Sequence, residues 1–205
     1  MPQYFDPTPT TASRRGEVEL VLGDLGRSVR LATDRGVFSA ARIDVGTRLL
    51  LEHGPPVPAA GDLLDMGCGY GPIAVALALR SPAARVWAVD VNERAVALCA
   101  ENAGALGLPP GRLRACTPDE VPAGLRFAAI WSNPPVRVGG AALHDLLITW
   151  LSRLVEGGSA ALVVQKHLGA DSLAAWLGEQ GFGVERLRAK QGYRILGVER
   201  PEDGA

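Results

Sequence analysis

From residue 62 to residue 199 the chain alternates short apolar runs with longer amphipathic ones, and that alternation limits the fold more than any other feature. Runs over 62–66, 85–90, 113–116, 127–132 and 159–165 have strand length and strand composition. Between them, 73–79, 93–106, 141–155 and 172–179 have the spacing and length of helices, and Pro72 stands where a first turn tolerates proline. Parallel neighbours need crossover connections, and repeated strand–helix units supply them. Two closing strands over 183–187 and 193–199 are a short loop apart, so they are expected to pair antiparallel. The expectation is an α/β, Rossmann-like fold: a mostly parallel seven-stranded sheet with an antiparallel C-terminal strand. Upstream, Val18, Leu20 and Leu22 alternate with Glu17 and Glu19, a Gly-Asp-Leu-Gly turn follows, and Val29 and Leu31 resume the alternation. This is a β-hairpin pattern. A short helix is expected from Gly46 to Glu52, closed off by Pro55, Pro56 and Pro58. The chain thus divides into a Pro/Thr-rich arm (1–16), a hairpin-and-helix extension (17–58) and an α/β domain (59–205).

The first strand of that domain runs into Asp65-Met66-Gly67-Cys68-Gly69-Tyr70-Gly71. Glycines at such a junction let the backbone turn sharply and approach a ligand closely. A dinucleotide fingerprint needs glycine at 72, which is Pro72 here. An acid-led GxGxG loop suits a nucleoside carrying an amino-acid tail, as in S-adenosylmethionine, whose ammonium an acid such as Asp65 can pair. Asp90 follows Gly71 by 19 residues at the end of the next strand, a distance that suits a ribose-hydroxyl acceptor.

The strand over 127–132 exits into Asn133-Pro134-Pro135-Val136. Two prolines stop the strand at the carboxyl end of the sheet, where open α/β folds bind ligands. The residue before a proline is held extended, so Asn133 presents its side chain in a fixed direction. A planar exocyclic amine has a delocalised, weakly nucleophilic lone pair. The Asn133 side-chain oxygen and the Pro134 carbonyl can accept its two N–H groups, aim the nitrogen and stabilise the positive charge that develops on it. The expected chemistry is N-methylation, with Asn133, Pro134 and Pro135 as the catalytic segment and the donor supplying the reactive group.

Composition narrows the partners. A formal net charge of −1 and an isoelectric point near 6.3 argue against binding nucleic acid through bulk electrostatics, so contacts with RNA must be local. Three cysteines without a CxxC pair, and three isolated histidines, suggest neither a disulfide framework nor a metal site. No stretch reads as a signal peptide or approaches the roughly 20 apolar residues of a membrane span. The expected compartment is the cytoplasm.

Together these segments resemble the methyltransferase small domain family, which includes the RsmC-like and RlmG-like ribosomal RNA guanine-N2 methyltransferases and short one-domain relatives. Besides the glycine loop and Asn133–Pro135, the resemblance rests on Gly36-Val37-Phe38-Ser39, Asp44-Val45-Gly46-Thr47-Arg48-Leu49-Leu50, Gln165-Lys166 and Gln191-Gly192-Tyr193. It spans residues 17–199 and implies S-adenosylmethionine as methyl donor. It also implies guanine in ribosomal RNA, free or within a subunit, as substrate. The implied cofactor contacts are Thr47, Asp65, Gly67, Gly69, Gly71 and Asp90, with Asp119 a candidate acceptor for the adenine amine. Many relatives carry an aromatic after the two prolines that stacks on the base; Val136 stands there, and Phe38 is a candidate replacement platform. Arg137 and Lys166 are candidates for RNA contact. Two alternatives remain open: methylation of a glutamine amide in a release factor, which offers the same pair of N–H groups, and a catalytically silent binding module. Trp87, Trp131, Trp150 and Trp176 are expected in the core, and His144 in a helix-surface role.

Overall fold

The computed structural model describes residues 7–8, 10–136 and 139–200. The main sheet contains β3 (Ala60–Met66), β4 (Ala83–Val89), β5 (Leu113–Cys116), β6 (Phe127–Ser132), β7 (Leu154–Gln165), β8 (Gly183–Lys190) and β9 (Tyr193–Glu199). Their order across the sheet is β5-β4-β3-β6-β7-β9-β8. The pairs from β5 to β7 are parallel, and β9 runs antiparallel to both β7 and β8. The one reversed strand is therefore inside the sheet, and β8 takes the edge. The expected α/β architecture is present.

The helices are α1 (Val45–His53), α2 (Pro72–Arg80), α3 (Glu93–Ala105), α4 (Gly140–Leu151) and α5 (Ala170–Glu179). Successive strand residues face opposite sides, so each central strand feeds two cores. Leu63, Trp131, Val163 and Ile195 pack with α1, α2 and α3. Their neighbours Leu64, Ile130, Leu162 and Leu196 pack with α4 and α5. Both faces are covered, which is why these strands read as continuous apolar runs rather than alternating ones.

Several boundaries differ from the sequence reading. The helix expected over 141–155 ends at Leu151, and β7 begins at Leu154 rather than at residue 159. Leu154 pairs with Phe127 ahead of a register shift, and the Arg153 carbonyl accepts the Phe127 N–H, so sheet pairing overrides helical spacing there. Likewise β8 continues to Lys190, past 187, because a register shift between Arg186 and Arg188 carries the ladder through.

The hairpin forms a separate two-stranded sheet of β1 (Arg15–Leu22) and β2 (Arg27–Asp34), with Leu22 opposite Arg27. Its first strand starts inside the segment read as an arm. Val18, Leu20, Leu22, Val29 and Leu31 face the core, as their alternation requires. Asn102 on α3, itself buried, docks the hairpin. Its Oδ1 accepts the Ala32 N–H at 2.7 Å, while Nδ2 donates to the Ala32 carbonyl at 3.0 Å and the Tyr70 carbonyl at 2.8 Å. One side chain thus ties hairpin, helix and glycine loop together. Among the described residues, no helix is long and apolar enough to cross a membrane.

Candidate active site

The glycine loop turns between β3 and α2 against the end of β4. Gly67 and Cys68 donate to the Val89 carbonyl at 2.8 and 3.0 Å. Gly71 has φ +94°, and a Cβ there would lie 2.5 Å from Cys99 Sγ on α3. Glycine is therefore required at 71 on both conformational and steric grounds. A Cβ at Gly67 or Gly69 would meet no protein atom within 4 Å, and both residues line a cavity of about 270 Å³. Space lies beside this backbone, as a ligand cradle requires.

Asp90 lines the same cavity beyond the tip of β4. Gly69 N donates to its Oδ2 at 2.8 Å and Asn92 N to its Oδ1 at 2.9 Å. Burial raises its carboxyl above the ordinary range, against the pull of these backbone N–H groups. A carboxylate oxygen has more than one acceptor site, so the held group can still receive ribose hydroxyls. Asp65 stands differently. It is fully buried and does not line the cavity that contains Asp90; Ala74 N donates to its Oδ2 at 2.9 Å, and among the described residues its Oδ1 has no partner. Burial pushes its carboxyl up to about 8.

Asn133 projects from the end of β6 into the cavity. Its Nδ2 donates to Asp44 Oδ2 at 2.8 Å and to Thr47 Oγ1 at 3.1 Å. The amide nitrogen is thus occupied on α1, and among the described residues no donor reaches Oδ1. The amide is oriented with its acceptor free, as the proposed chemistry needs. Asp44 is also the N-cap of α1, its Oδ2 accepting from Gly46 N at 2.7 Å and Thr47 N at 3.2 Å. The Pro134 carbonyl accepts the Val136 N–H at 2.8 Å, leaving its second lone pair available. Pro135 and Val136 continue the wall.

The remaining candidates separate. Thr47 is buried, and with Asp44, Phe38 and Asn133 it lines a smaller cavity of about 30 Å³ beside the glycine loop. Phe38 is 41% exposed and borders both cavities. Asp119 is exposed, accepts the Thr117 hydroxyl at 2.6 Å and stays off the cavity wall, whereas its neighbour Pro118 lines it. Lys166 is exposed just past β7. Arg137 lies outside the described residues. Trp87, Trp131 and Trp150 are buried in the core, and Trp150 also reaches the cavity. His144 stacks on Trp176 with ring centroids 3.6 Å apart, so its role is helix packing. Among the described residues, no cluster of three or more His, Cys, Asp or Glu could hold a metal ion.

Sequence reasoning placed no role on Asp44, Gln165 or Tyr193, all of which line the cavity. For Asp44 the available signal was its N-cap position, an Asp directly before the helical run. Gln165 and Tyr193 were visible only as family-like pairs of letters.

The residues present fit S-adenosylmethionine, with the open glycine cradle beside Asp90 and a side pocket containing the Asp44 carboxylate. The comparisons with known proteins agree. The Methyltransferase small domain matches residues 28–197. YbxB of Bacillus subtilis is 32% identical over 94% of this chain and 96% of its own length. The ribosomal RNA small subunit methyltransferase C of Pseudomonas fluorescens is 34% identical over 91% of this chain and 58% of its own. The chain therefore spans nearly all of the first relative and little more than half of the second. The solved T. thermophilus 16S rRNA N2 methyltransferase RsmC, in complex with AdoMet and guanosine, superposes with a TM-score of 0.74 and 26% identity. That match covers 94% of this chain and 52% of the other. With the motif, the fold and a cofactor-bearing relative in agreement, this chain belongs to the methyltransferase small domain family and is an S-adenosylmethionine-dependent methyltransferase.

Proposed function

We propose that the chain methylates N2 of a guanine in small-subunit ribosomal RNA. The observation that carries this reading is the fixed orientation of Asn133. Asp44 and Thr47 hold its amide nitrogen, and among the described residues no donor takes its oxygen, on a side chain that lines the cavity shared with the glycine loop and Asp90. S-adenosylmethionine, when bound, supplies an electrophilic methyl group on a sulfonium. Asn133 Oδ1 and the free lone pair of Pro134 accept the two N–H groups of the amine. This points the nitrogen lone pair out of the amine plane and stabilises the charge it acquires. The proton is lost to solvent after transfer, and no basic side chain is needed before it. Phe38, Val136 and Tyr193 line the same cavity and would border the ring that carries this amine. Lys166, exposed directly after β7, suits an RNA phosphate, and Arg137 follows the catalytic segment closely enough in sequence to do the same.

Relatives named as small-subunit methyltransferases, and the T. thermophilus protein solved with guanosine, favour RNA over a release-factor glutamine. The test is transfer of labelled methyl from S-adenosylmethionine to naked 16S rRNA, to small subunits and to release factor, followed by nucleoside mass spectrometry. N2-methylguanosine in the RNA is expected. Label on the release factor alone overturns the reading.

A further inference from the structure

Two polar side chains on the cavity wall have no part in holding Asn133. Gln165 ends β7 and Tyr193 opens β9, and the two are register partners in the antiparallel pair. Gln165 Nε2 donates to the Tyr193 hydroxyl at 2.6 Å. Because that oxygen accepts the amide N–H, the hydroxyl proton is free to point elsewhere. Among the described residues no donor reaches Gln165 Oε1 and no acceptor takes the Tyr193 proton. The pair therefore offers the cavity one acceptor and one donor. The tyrosine ring is also positioned from behind: a Cβ on Gly46 would lie 2.8 Å from its Cε1.

The order of these groups carries chemical information. Across the sheet the strands run β6, β7, β9, so Asn133, Gln165 and Tyr193 succeed one another along its carboxyl end. The polar groups they present are acceptor, acceptor, donor. The Watson–Crick edge of guanine presents the N2 amine, N1–H and O6, which is donor, donor, acceptor in the same order. We propose that Gln165 and Tyr193 read this edge: Gln165 Oε1 accepts N1–H and the Tyr193 hydroxyl donates to O6, while Asn133 holds N2. The inference rests on the guanine reading above and names the residues that select that base. Edge hydrogen bonding is how proteins recognise unstacked RNA bases. It supplies specificity that Val136 cannot supply by stacking. A base lacking O6 and N1–H leaves both groups unpaired in a partly buried wall, which is the strongest form of discrimination available to a small site.

The experiment measures binding of three nucleosides to the full chain with S-adenosylhomocysteine present, by calorimetry. Guanosine carries the whole edge. 2-Aminopurine riboside keeps the amine and lacks O6 and N1–H. 2,6-Diaminopurine riboside keeps the amine and reverses donor and acceptor at the other two positions. The wild-type chain is expected to bind guanosine about tenfold or more tighter than either analogue. Tyr193→Phe, which keeps the packed ring, is expected to weaken guanosine about tenfold and leave 2-aminopurine riboside unchanged. Gln165→Leu is expected to remove most of the preference for guanosine. Retained affinity for S-adenosylhomocysteine in each variant shows that the site is still folded. Absence of guanosine preference in the wild type, or equal weakening of all three nucleosides in Tyr193→Phe, overturns the inference. If ribosomal RNA still gains N2-methylguanosine, only the edge-reading assignment falls. If no methyl group reaches RNA, the guanine reading falls with it.

Discussion

A single oxygen of Asp44 accepts three N–H groups, two from the first turn of α1 and one from Asn133. The same atom caps a helix and holds the amide nitrogen of Asn133 on the cavity wall. Asn133→Ala is expected to lower kcat by on the order of 100-fold, because it removes an acceptor from the developing charge. Binding of S-adenosylhomocysteine, read by calorimetry, should stay near wild type. Asp44→Ala should lose part of that turnover and also about 1 kcal/mol of stability through the lost cap, measured by urea unfolding. Asp65 makes a different prediction. Burial holds its carboxyl protonated in the native chain up to about pH 8, whereas the unfolded chain releases that proton near pH 4. The native state binds the extra proton over this interval, so stability falls as pH rises through it, by at most about 1.4 kcal/mol per unit. In the ligand-free protein, Asp65→Asn should flatten the dependence of unfolding free energy on pH between about 5 and 8. An unchanged slope removes Asp65 as its source.

At the scale of elements, what could be read in advance depended on whether the cause was local. The hairpin was legible because Val18, Leu20 and Leu22 alternate, and the loop because its glycines sit between a strand and a proline-started helix. The start of β7 was not legible, because Leu154 joins the sheet by pairing with Phe127, far away in sequence. Asp44 was visible as part of a family segment, yet its bond to Asn133 spans 89 positions and leaves no periodic trace. The same holds for Gln165 and Tyr193, which only strand pairing brings together. Gly71 shows the local kind of constraint meeting a distant one. Its φ of +94° is a property of the loop, while the Cys99 sulfur 2.5 Å from a would-be Cβ belongs to α3. Gly71→Ala should therefore destabilise the chain by about 1–3 kcal/mol from backbone strain alone. It should also weaken S-adenosylhomocysteine binding, measurable by denaturant midpoint and calorimetry respectively. Replacing Cys99 by Ala in the same chain should recover part of the stability and none of the strain in φ.

For the whole molecule, the alternation of strands and helices predicted the mostly parallel seven-stranded sheet that the fold contains. The division into an extension and an α/β domain describes the order of elements better than it describes the site. Phe38, Asp44 and Thr47 precede residue 59, while Asp90, Asn133, Gln165 and Tyr193 follow it, and all but Thr47 border the larger cavity. Asn102, buried on α3, holds the hairpin through two hydrogen bonds to Ala32 and the glycine loop through a third to Tyr70. Asn102→Ala leaves backbone groups of Ala32 and Tyr70 without that partner, and about 1–3 kcal/mol of destabilisation is expected for each group left unsatisfied. Hydrogen exchange should show the loss first in β2 and in the glycine loop.

The bond from Asn133 to Asp44 and Thr47 makes the enzyme a two-piece instrument on one string. Cut between residues 58 and 59, neither fragment would own the whole arrangement: one would keep Asn133 without the two groups that rein its amide, the other those groups without Asn133. Mixed together, the halves should regain methyl transfer only as far as α1 finds its seat against β7 and β9 again. The regained activity would then report reassembly directly.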